Sequence, residues 1–316
     1  MKNNKPTILV IIGISGDLSK RKLLPAIGAI ASTGMIPEQF KIVGVTRQKN
    51  IDLKNLLKDT VNKDYLLQNT ELFEMDLNNG DDYKNLQNRL EEIEKELGTS
   101  CQYLFYLSVP PKVAESIIEF IGKSGLGERY ETKLLLEKPF GVDLESATEL
   151  AKNIDKYFKS EQVYRIDHYL AKETAQNIIV FRDGNSLFKK TWNKDFIESI
   201  EIIVSEEIGI EGRASFYEQT GALRDFQSHL LQLLALVLMD LPEDENLKEV
   251  PQLRLEALKH ISIEDVEKDV IRGQYEGYKN EVNNLESNVE TFVSMNLKSN
   301  AQKWTGVPIK PQTMHF

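Results

Sequence analysis

Residues Thr7 to Ser19 read TILVIIGISGDLS, and this stretch predicts how the chain begins to fold. A run of apolar and β-branched residues is typical of a strand that is buried on both faces. Gly13 and Gly16 then predict a tight turn into a helix. Glycines at such a turn let the backbone approach a pyrophosphate, and the helix N-terminus favours its negative charge. The stretch is consistent with a dinucleotide-binding unit, and equally with an ordinary glycine turn between any strand and helix.

The first half of the chain alternates strand-like and helix-like segments. The predicted strands are 7–13, 41–46, 72–77, 103–109 and 133–137, and segments 81–97 and 144–158 have helical spacing. Alternation of this kind predicts crossover connections and a mainly parallel sheet.

The second half has a different pattern. Residues 196–205 and 290–297 alternate apolar and polar side chains like half-solvated strands, and 229–241 forms a nearly continuous apolar helix. This pattern predicts an α+β domain with a mainly antiparallel sheet. We therefore predict two domains, 1–170 and 171–316.

Composition excludes several classes of protein. The 316 residues carry a formal net charge of −10, which argues against nonspecific nucleic-acid binding because a phosphate backbone needs a basic surface. One cysteine, Cys101, excludes an internal disulfide framework and a cysteine-based zinc cluster. The apolar runs are too short to span a membrane, and the start of the chain has no signal-peptide pattern, so we expect a cytoplasmic protein without a membrane partner.

Cations near the glycine turn favour an anionic ligand. Lys20, Arg21 and Lys22 crowd the opening of the next helix, where the helix dipole disfavours positive charge. Arg47 follows the second strand, where an acidic residue would hold a ribose hydroxyl and an arginine suits a 2′-phosphate. We therefore prefer NADP to NAD, the alternative being that Arg47 is an ordinary surface residue.

The densest group of chemically active residues is YRIDHYLAKE at 164–173. His168, Tyr169 and Lys172 would suit a phosphate dianion if they converge, and His168 and Lys172 would share a face if a helix begins there. Glu137 and Lys138 end the fifth strand, at the edge where open α/β sheets bind ligands. His229 is predicted to open the apolar helix of the second half.

These motifs together resemble the glucose-6-phosphate dehydrogenase family. The matching segments run in order along the chain: GISGDLSKRKLLPA at 13–26, EKPFG at 137–141, RIDHYLAKE at 165–173, EGR at 211–213, GALRD at 221–225, HLLQ at 229–232, GQY at 273–275 and WTGVP at 304–308. The block at 165–173 is the most specific of them. The resemblance implies a Rossmann-type dinucleotide-binding domain followed by an α+β domain, and no metal.

The resemblance also implies an activity and a set of site residues. The activity is NADP-dependent oxidation of glucose 6-phosphate to 6-phosphogluconolactone, the first step of the oxidative pentose phosphate pathway. The general base would be His229, with Asp167 as its carboxylate partner. The cofactor would be held by Gly13, Ser15, Gly16, Asp17, Leu18, Arg47 and Lys138. The substrate would be held by Lys22 and Lys138 at the junction of cofactor and sugar, by His168, Tyr169 and Lys172 at the phosphate, and by Glu206 and Asp225 at sugar hydroxyls.

The sequence departs from the family pattern in three places. Ala171 stands where the family has a glycine. Asp225 and His229 are separated by one residue fewer than in the family, which would rotate Asp225 by about 100° relative to His229 on a helix. After Pro308 the family continues with a substrate-binding lysine and further strands, whereas this sequence reads IKPQTMHF. We therefore expect a truncated second domain with an open edge strand near 290–297, which a homo-oligomer would cover.

Two other functions stay open at this point. A sugar oxidoreductase related to glucose-fructose oxidoreductase or inositol dehydrogenase would share the dinucleotide-binding half and the Glu-Lys-Pro motif. It would lack the block from Asp167 to Tyr169. A non-catalytic remnant that binds NADP or a sugar phosphate is the other alternative, which the short C-terminal part favours and the retained Asp167 and His229 oppose.

Overall fold

The computed structural model describes residues 5–129, 131–141, 143–206, 214–243 and 246–315. The chain divides into two compact units, residues 1–166 and 167–316. The domain boundary predicted at Leu170 falls a few residues further along the chain. No helix among the described residues combines the length and the apolar character that crossing a membrane requires.

The first unit contains a parallel sheet with helices between its strands. Its strands are β1 (Thr7–Ile12), β2 (Phe40–Thr46), β3 (Thr70–Glu74), β4 (Gln102–Leu107), β5 (Thr132–Leu136) and β6 (Val163–Arg165). Its helices are α1 (Leu24–Thr33), α2 (Leu53–Leu56), α3 (Lys63–Asn69), α4 (Gly80–Leu97), α5 (Pro111–Lys123) and α6 (Leu144–Asp155). The six strands of this described region pair in parallel, in the order β3-β2-β1-β4-β5-β6, which confirms the predicted sheet.

Both faces of this sheet are buried. Every residue of β1 is buried, and Ile8 and Val10 face one hydrophobic cluster while Leu9 and Ile11 face another. Cys101, which is 1% exposed, belongs to the cluster of Ile8. Burial on both sides explains why β1 reads as a continuous apolar run and not as an alternating one.

The strand order reverses beside β1. The chain runs outward from β1 to β2 and β3, and then returns to place β4 on the other side of β1. Ligands of open α/β sheets bind outside the carboxyl ends of the strands at such a reversal. The segments that follow β1 and β4 are therefore where a cofactor site is expected.

The second unit is built from helices and shorter strands. Its strands are β7 (Ile200–Glu206), β8 (Ile261–Ser262), β9 (Val270–Gly273), β10 (Phe292–Met295), β11 (Lys298–Ser299) and β12 (Ile309–His315). Its helices are α7 (Glu173–Gly184), α8 (Ser186–Thr191), α9 (Ala214–Leu238), α10 (Val250–Lys259), α11 (Val266–Asp269) and α12 (Tyr278–Glu281).

The main sheet of this unit is mostly antiparallel, as predicted. Its order is β7-β12-β10-β9, with antiparallel pairs on both sides of β10 and a parallel pair between β12 and β7. The prediction of an open edge at 290–297 is wrong, because β10 lies between β12 and β9. The residues after Pro308 form β12, a strand that the sequence pattern does not predict.

The long helix α9 begins earlier than predicted. His229 does not open it but lies well inside it, because α9 starts at Ala214. The helix is interrupted at Gly221, whose φ of 64° and ψ of 176° are not helical. Leu234 and Leu238 of the second segment pack against Val293 and Trp304 in the core of this unit.

Candidate active site

The turn after β1 is shaped by Gly13. Its φ is 92°, and a Cβ at this position would lie 2.4 Å from the carbonyl oxygen of Ser108. The Gly13 amide donates to the carbonyl of Val45 over 3.0 Å, and Ser19 Oγ donates to the carbonyl of Gly13 over 3.1 Å. A side chain would therefore be strained here and would push apart the ends of β1 and β4.

The helix after this turn starts with a wide, π-helical turn at Ser19–Leu23, and α1 continues from it. Arg21 pairs with the carboxylate of Asp17 one turn earlier, with a distance of 2.8 Å between Nε and Oδ1. Lys20 and Lys22 are exposed. The pair with Asp17 thus balances part of the positive charge that favours an anionic ligand in the sequence.

A cleft of about 340 Å³ lies at the carboxyl ends of the strands of the first unit. Its lining includes Gly13, Gly16 and Ser15 from the turn, Arg47 at the end of β2, and Ser108 after β4. None of the described residues that line it is acidic. A glycine turn that a Cβ would fill, together with an arginine and no carboxylate at the end of β2, fits a dinucleotide with a 2′-phosphate.

The other predicted cofactor residues are not among those that line this cleft. Asp17 lines a neighbouring polar cleft together with Lys49, and Leu18 is partly exposed at the start of the helix. Lys138 follows β5, is half-buried, and precedes Pro139 in a cis peptide bond. The cleft itself is therefore lined by Gly13, Ser15, Gly16 and Arg47, and the cofactor contacts of Asp17, Leu18 and Lys138 stay predictions.

Glu137 and Tyr106 interact at the same edge of the sheet. The hydroxyl of Tyr106, on β4, donates a short hydrogen bond to Glu137 Oε1. Burial raises the pKa of Tyr106, and the carboxylate of Glu137 raises it further, so this hydroxyl keeps its proton. This bond links β4 to the residue that precedes Lys138.

In the second unit, the carboxylate of Asp167 accepts hydrogen bonds from the backbone of the predicted phosphate-binding block. Its Oδ1 accepts from the backbone amide of Tyr169 over 2.9 Å and from that of Leu170 over 3.4 Å. Nδ1 of His229, on α9, lies 3.1 Å from Oδ1 and 3.3 Å from Oδ2 of Asp167. Burial works to raise the pKa of Asp167, but the contact with His229 and the two amides outweigh it, so this pKa lies below its usual value.

Two aromatic rings pack against the imidazole of His229, which is 4% exposed. The Tyr169 ring stacks on the imidazole, with centroids 4.2 Å apart and planes 20° apart. The His168 ring meets the same imidazole edge-on at 4.5 Å. The ammonium of Lys172 lies 3.9 Å from the centroid of the Tyr169 ring. We call Tyr169, His168 and His229 the aromatic cluster.

His168 and Lys172 do not share a helical face, because α7 begins only at Glu173. The segment from Asp167 to Lys172 is a turn, and the amides of Ala171 and Lys172 bond back to the carbonyls of Asp167 and Tyr169. This turn, and not helical spacing, brings the block next to His229.

The position of Asp225 follows from the interruption of α9. Asp225 and His229 both belong to the segment after Gly221 and are four residues apart, so they lie one turn apart on the same face. The side chain of Glu206 and the predicted motif at 211–213 lie outside the described residues, so their predicted roles are unchanged.

Sequence analysis missed one cation near this site. Arg254, on α10, donates to Gln232 Oε1 over 2.5 Å, and Gln232 lies three residues after His229 on α9. Burial lowers the pKa of Arg254, and the nearby charge of Asp167 acts in the opposite direction. Nothing in the sequence pattern connects Arg254 with Asp167, because their proximity depends on how α10 packs on α9.

Comparison with known proteins agrees with this arrangement. Residues 10–177 match the family model described as the NAD binding domain of glucose-6-phosphate dehydrogenase, and residues 179–313 match its C-terminal domain. The chain belongs to the glucose-6-phosphate dehydrogenase family. Two domain matches that follow each other along nearly the whole chain show this membership.

Individual members of the family are similar over most of the chain. The glucose-6-phosphate 1-dehydrogenase of Chlamydia muridarum is 36% identical over 96% of this chain, and that of Bacillus subtilis is 35% identical over 99%. This chain spans 66% of the Chlamydia protein and 69% of the Bacillus one. A solved glucose-6-phosphate dehydrogenase in complex with glucose-6-phosphate matches all of this chain and 70% of its own, with a TM-score of 0.90 and 30% identity.

Proposed function

We propose that this chain oxidises the C1 hydroxyl of glucose 6-phosphate to 6-phosphogluconolactone with NADP, the first step of the oxidative pentose phosphate pathway. The observation that carries the proposal is the buried pair of His229 and Asp167 beside the phosphate block of a family member. A sugar oxidoreductase of the inositol dehydrogenase type is disfavoured, because both domain matches are to glucose-6-phosphate dehydrogenase.

His229 acts as the general base in this proposal. A proton on Nδ1 that is donated to Asp167 leaves Nε2 as the basic nitrogen, which takes the proton of the C1 hydroxyl as hydride leaves C1. Asp167 holds the ring in this tautomer and stabilises the imidazolium that forms. Because the pKa of Asp167 is lowered, its carboxylate stays ionised at neutral pH.

His168, Tyr169 and Lys172 would bind the 6-phosphate. Lys172 and His168 are exposed, so both can reach a ligand, and an ammonium makes strong charge-assisted hydrogen bonds to phosphate. Asp225 lies one turn before His229, where its carboxylate would accept from a sugar hydroxyl. The predicted hydroxyl contact of Glu206 and the predicted contacts of Lys22 and Lys138 complete the proposed substrate site.

NADP, when bound, supplies the nicotinamide ring that accepts the hydride. The residues of this chain bind and orient it: Gly13 and Gly16 let the backbone approach the pyrophosphate, and Ser15 and Arg47 bind the 2′-phosphate. Asp17, Leu18 and Lys138 keep the cofactor contacts that the resemblance implies. The cytoplasmic location and the homo-oligomer stay predictions.

The purified chain should form NADPH from NADP and glucose 6-phosphate in a spectrophotometric assay. Replacing the base removes an interaction that matters mainly in the transition state, so His229→Asn should lower kcat by about 10²–10⁴-fold with little change in KM. Asp167→Asn should give a related defect.

His260→Asn is the matched control. His260 ends α10 and contacts Asn300, outside the aromatic cluster, so this variant should turn over like the unmodified chain. Near-normal turnover of His229→Asn would show that the proton goes elsewhere. NADP binding without any turnover would identify a non-catalytic remnant instead.

A further inference from the structure

We propose that the ring of Tyr169 is itself part of the catalytic machinery, because it stabilises the imidazolium that forms when His229 accepts the proton. This inference rests on the proposed function. It differs from the proposed contact of the Tyr169 hydroxyl with phosphate, because here the face of the ring stabilises the imidazolium.

The geometry is that of a ring facing a cation. The Tyr169 and His229 centroids lie 4.2 Å apart with nearly parallel planes, which is within the range of cation–π attraction. The face of a tyrosine ring is negative, so it attracts an imidazolium more strongly than a neutral imidazole. The stack is therefore strengthened as the proton arrives, which is the property that accelerates a chemical step.

Burial strengthens this attraction. Tyr169 is 9% exposed and His229 is 4% exposed, so water screens the contact little. Asp167 contacts the imidazole at Nδ1, in the plane of the ring, whereas Tyr169 covers its face. The two residues therefore stabilise the same positive charge from different directions.

Lys172 connects this stack to the phosphate of the substrate. Its ammonium lies against the same tyrosine ring, so its charge opposes a second cation on His229. A bound phosphate dianion would neutralise that ammonium. The phosphate would then favour proton uptake by His229 as well as hold the sugar.

The test compares two substitutions that both lack the hydroxyl. Tyr169→Phe keeps the ring and Tyr169→Leu removes it, so both should raise KM for glucose 6-phosphate. Only the leucine variant loses the cation–π attraction, which is worth about 0.5–2 kcal/mol, so its kcat should be roughly 2- to 30-fold below that of the phenylalanine variant. The same ratio is expected with free glucose, because the ring acts on His229 and not on the phosphate.

If the leucine variant fails to fold, a series of fluorinated phenylalanines at position 169 tests whether the ring face stabilises the imidazolium. These residues keep the shape of the ring while weakening its negative face, so kcat should fall steadily with fluorination. Equal kcat for Tyr169→Phe and Tyr169→Leu, or a kcat that does not respond to fluorination, would overturn the proposal. An unmodified chain that never oxidises glucose 6-phosphate would overturn the proposed function first, and this inference with it.

Discussion

At the scale of single residues, we expect Arg47 to decide the choice between the two nicotinamide cofactors. It lines the cleft of the glycine turn, where no described lining residue is acidic. A charge-assisted contact to phosphate is worth about 1.5–3 kcal/mol. Arg47→Ala should therefore weaken NADP binding by roughly 10- to 150-fold and NAD binding hardly at all, as measured by calorimetric titration with both cofactors.

Lys95→Ala serves as the control for charge alone. Lys95 is also exposed but lies in the last turn of α4 and lines neither cleft, so its removal changes net charge equally without touching the proposed 2′-phosphate site. Equal losses of NADP and NAD affinity in Arg47→Ala would refute the assignment.

Lys172 should distinguish a sugar phosphate from a free sugar. Lys172→Ala removes the ammonium beside Tyr169, so KM for glucose 6-phosphate should rise by roughly 10-fold or more, as expected for a lost charge-assisted contact. Slow oxidation of free glucose should be spared, because that substrate has no phosphate to lose. Steady-state kinetics with both sugars on one preparation provides the internal control, and a similar loss with both would contradict phosphate binding.

Sequence motifs indicated that Asp167 and His229 belong together, and they missed a contact that depends on helix packing. Asp167 and His229 were recognised from two motifs, and the structure brings their side chains into contact. Arg254 was not recognised, because it meets Gln232 only through the packing of two helices. A lone arginine in an amphipathic helix carries no signal of such a partner.

At the scale of secondary structure elements, Gly221 interrupts the helix that carries His229, the proposed base. Glu290 Oε1 accepts from the amide of Leu223 over 3.0 Å and so begins the second segment of α9. A Cβ on Gly221 would lie 2.5 Å from the same oxygen, at a φ of 64°. Gly221→Ala should therefore destabilise the second unit by about 1–3 kcal/mol and lower kcat, because Asp225 and His229 would shift.

Gly277→Ala separates the two causes of that loss. Gly277 also has a positive φ, of 96°, but nothing lies within 4 Å of the position of its Cβ. Gly277→Ala should lower the free energy of unfolding only through backbone strain, by about 1–2 kcal/mol, and should retain its kcat. Urea unfolding and steady-state kinetics measure both quantities, and equal kcat losses in the two variants would show that the phase of α9 is not what matters.

The elements that the sequence predicted well are those with a regular apolar pattern. The buried run of β1 and the helical spacing of α4 both match the structure closely. β6 has only three residues, too few to show a period, and α9 begins with a mixture of polar and apolar residues before its continuous apolar part. β12 contains Lys310, Pro311 and Gln312, which hide a strand that pairs on both sides.

At the scale of the whole molecule, acid should destabilise the second unit. Asp167 and Glu218, both in the second unit, have lowered pKa values. Burial works to raise the pKa of Glu218, but hydrogen bonds from Ser287, Tyr278 and Asn284 lower it more. A carboxyl whose pKa is lower in the folded state stabilises fully above its unfolded pKa, near 4, and loses that contribution as pH falls through the folded value.

Tryptophan fluorescence can follow this loss in the second unit alone, because Trp192 and Trp304 are the only tryptophans of the sequence. Glu218→Gln should lower the urea midpoint at pH 7 and make it less sensitive to pH between about 5 and 3. Glu198→Gln is the control, because Glu198 is an exposed residue of the second unit, where the loss of one surface carboxylate changes stability little. The prediction fails if both variants keep the pH dependence of the unmodified chain.

Because Cys101 is buried, the reactivity of its thiol reports how often the first unit opens. Its thiol is the only one in the sequence and is 1% exposed, and burial raises its pKa, helped by Glu94 and opposed by Arg129. A thiol reagent can therefore modify the folded chain only during openings of this unit, so the labelling rate reports their free energy. A dinucleotide that binds only the closed unit slows labelling by the factor 1 + [L]/Kd. Cofactor affinity can thus be read from alkylation kinetics, without any substrate and without turnover.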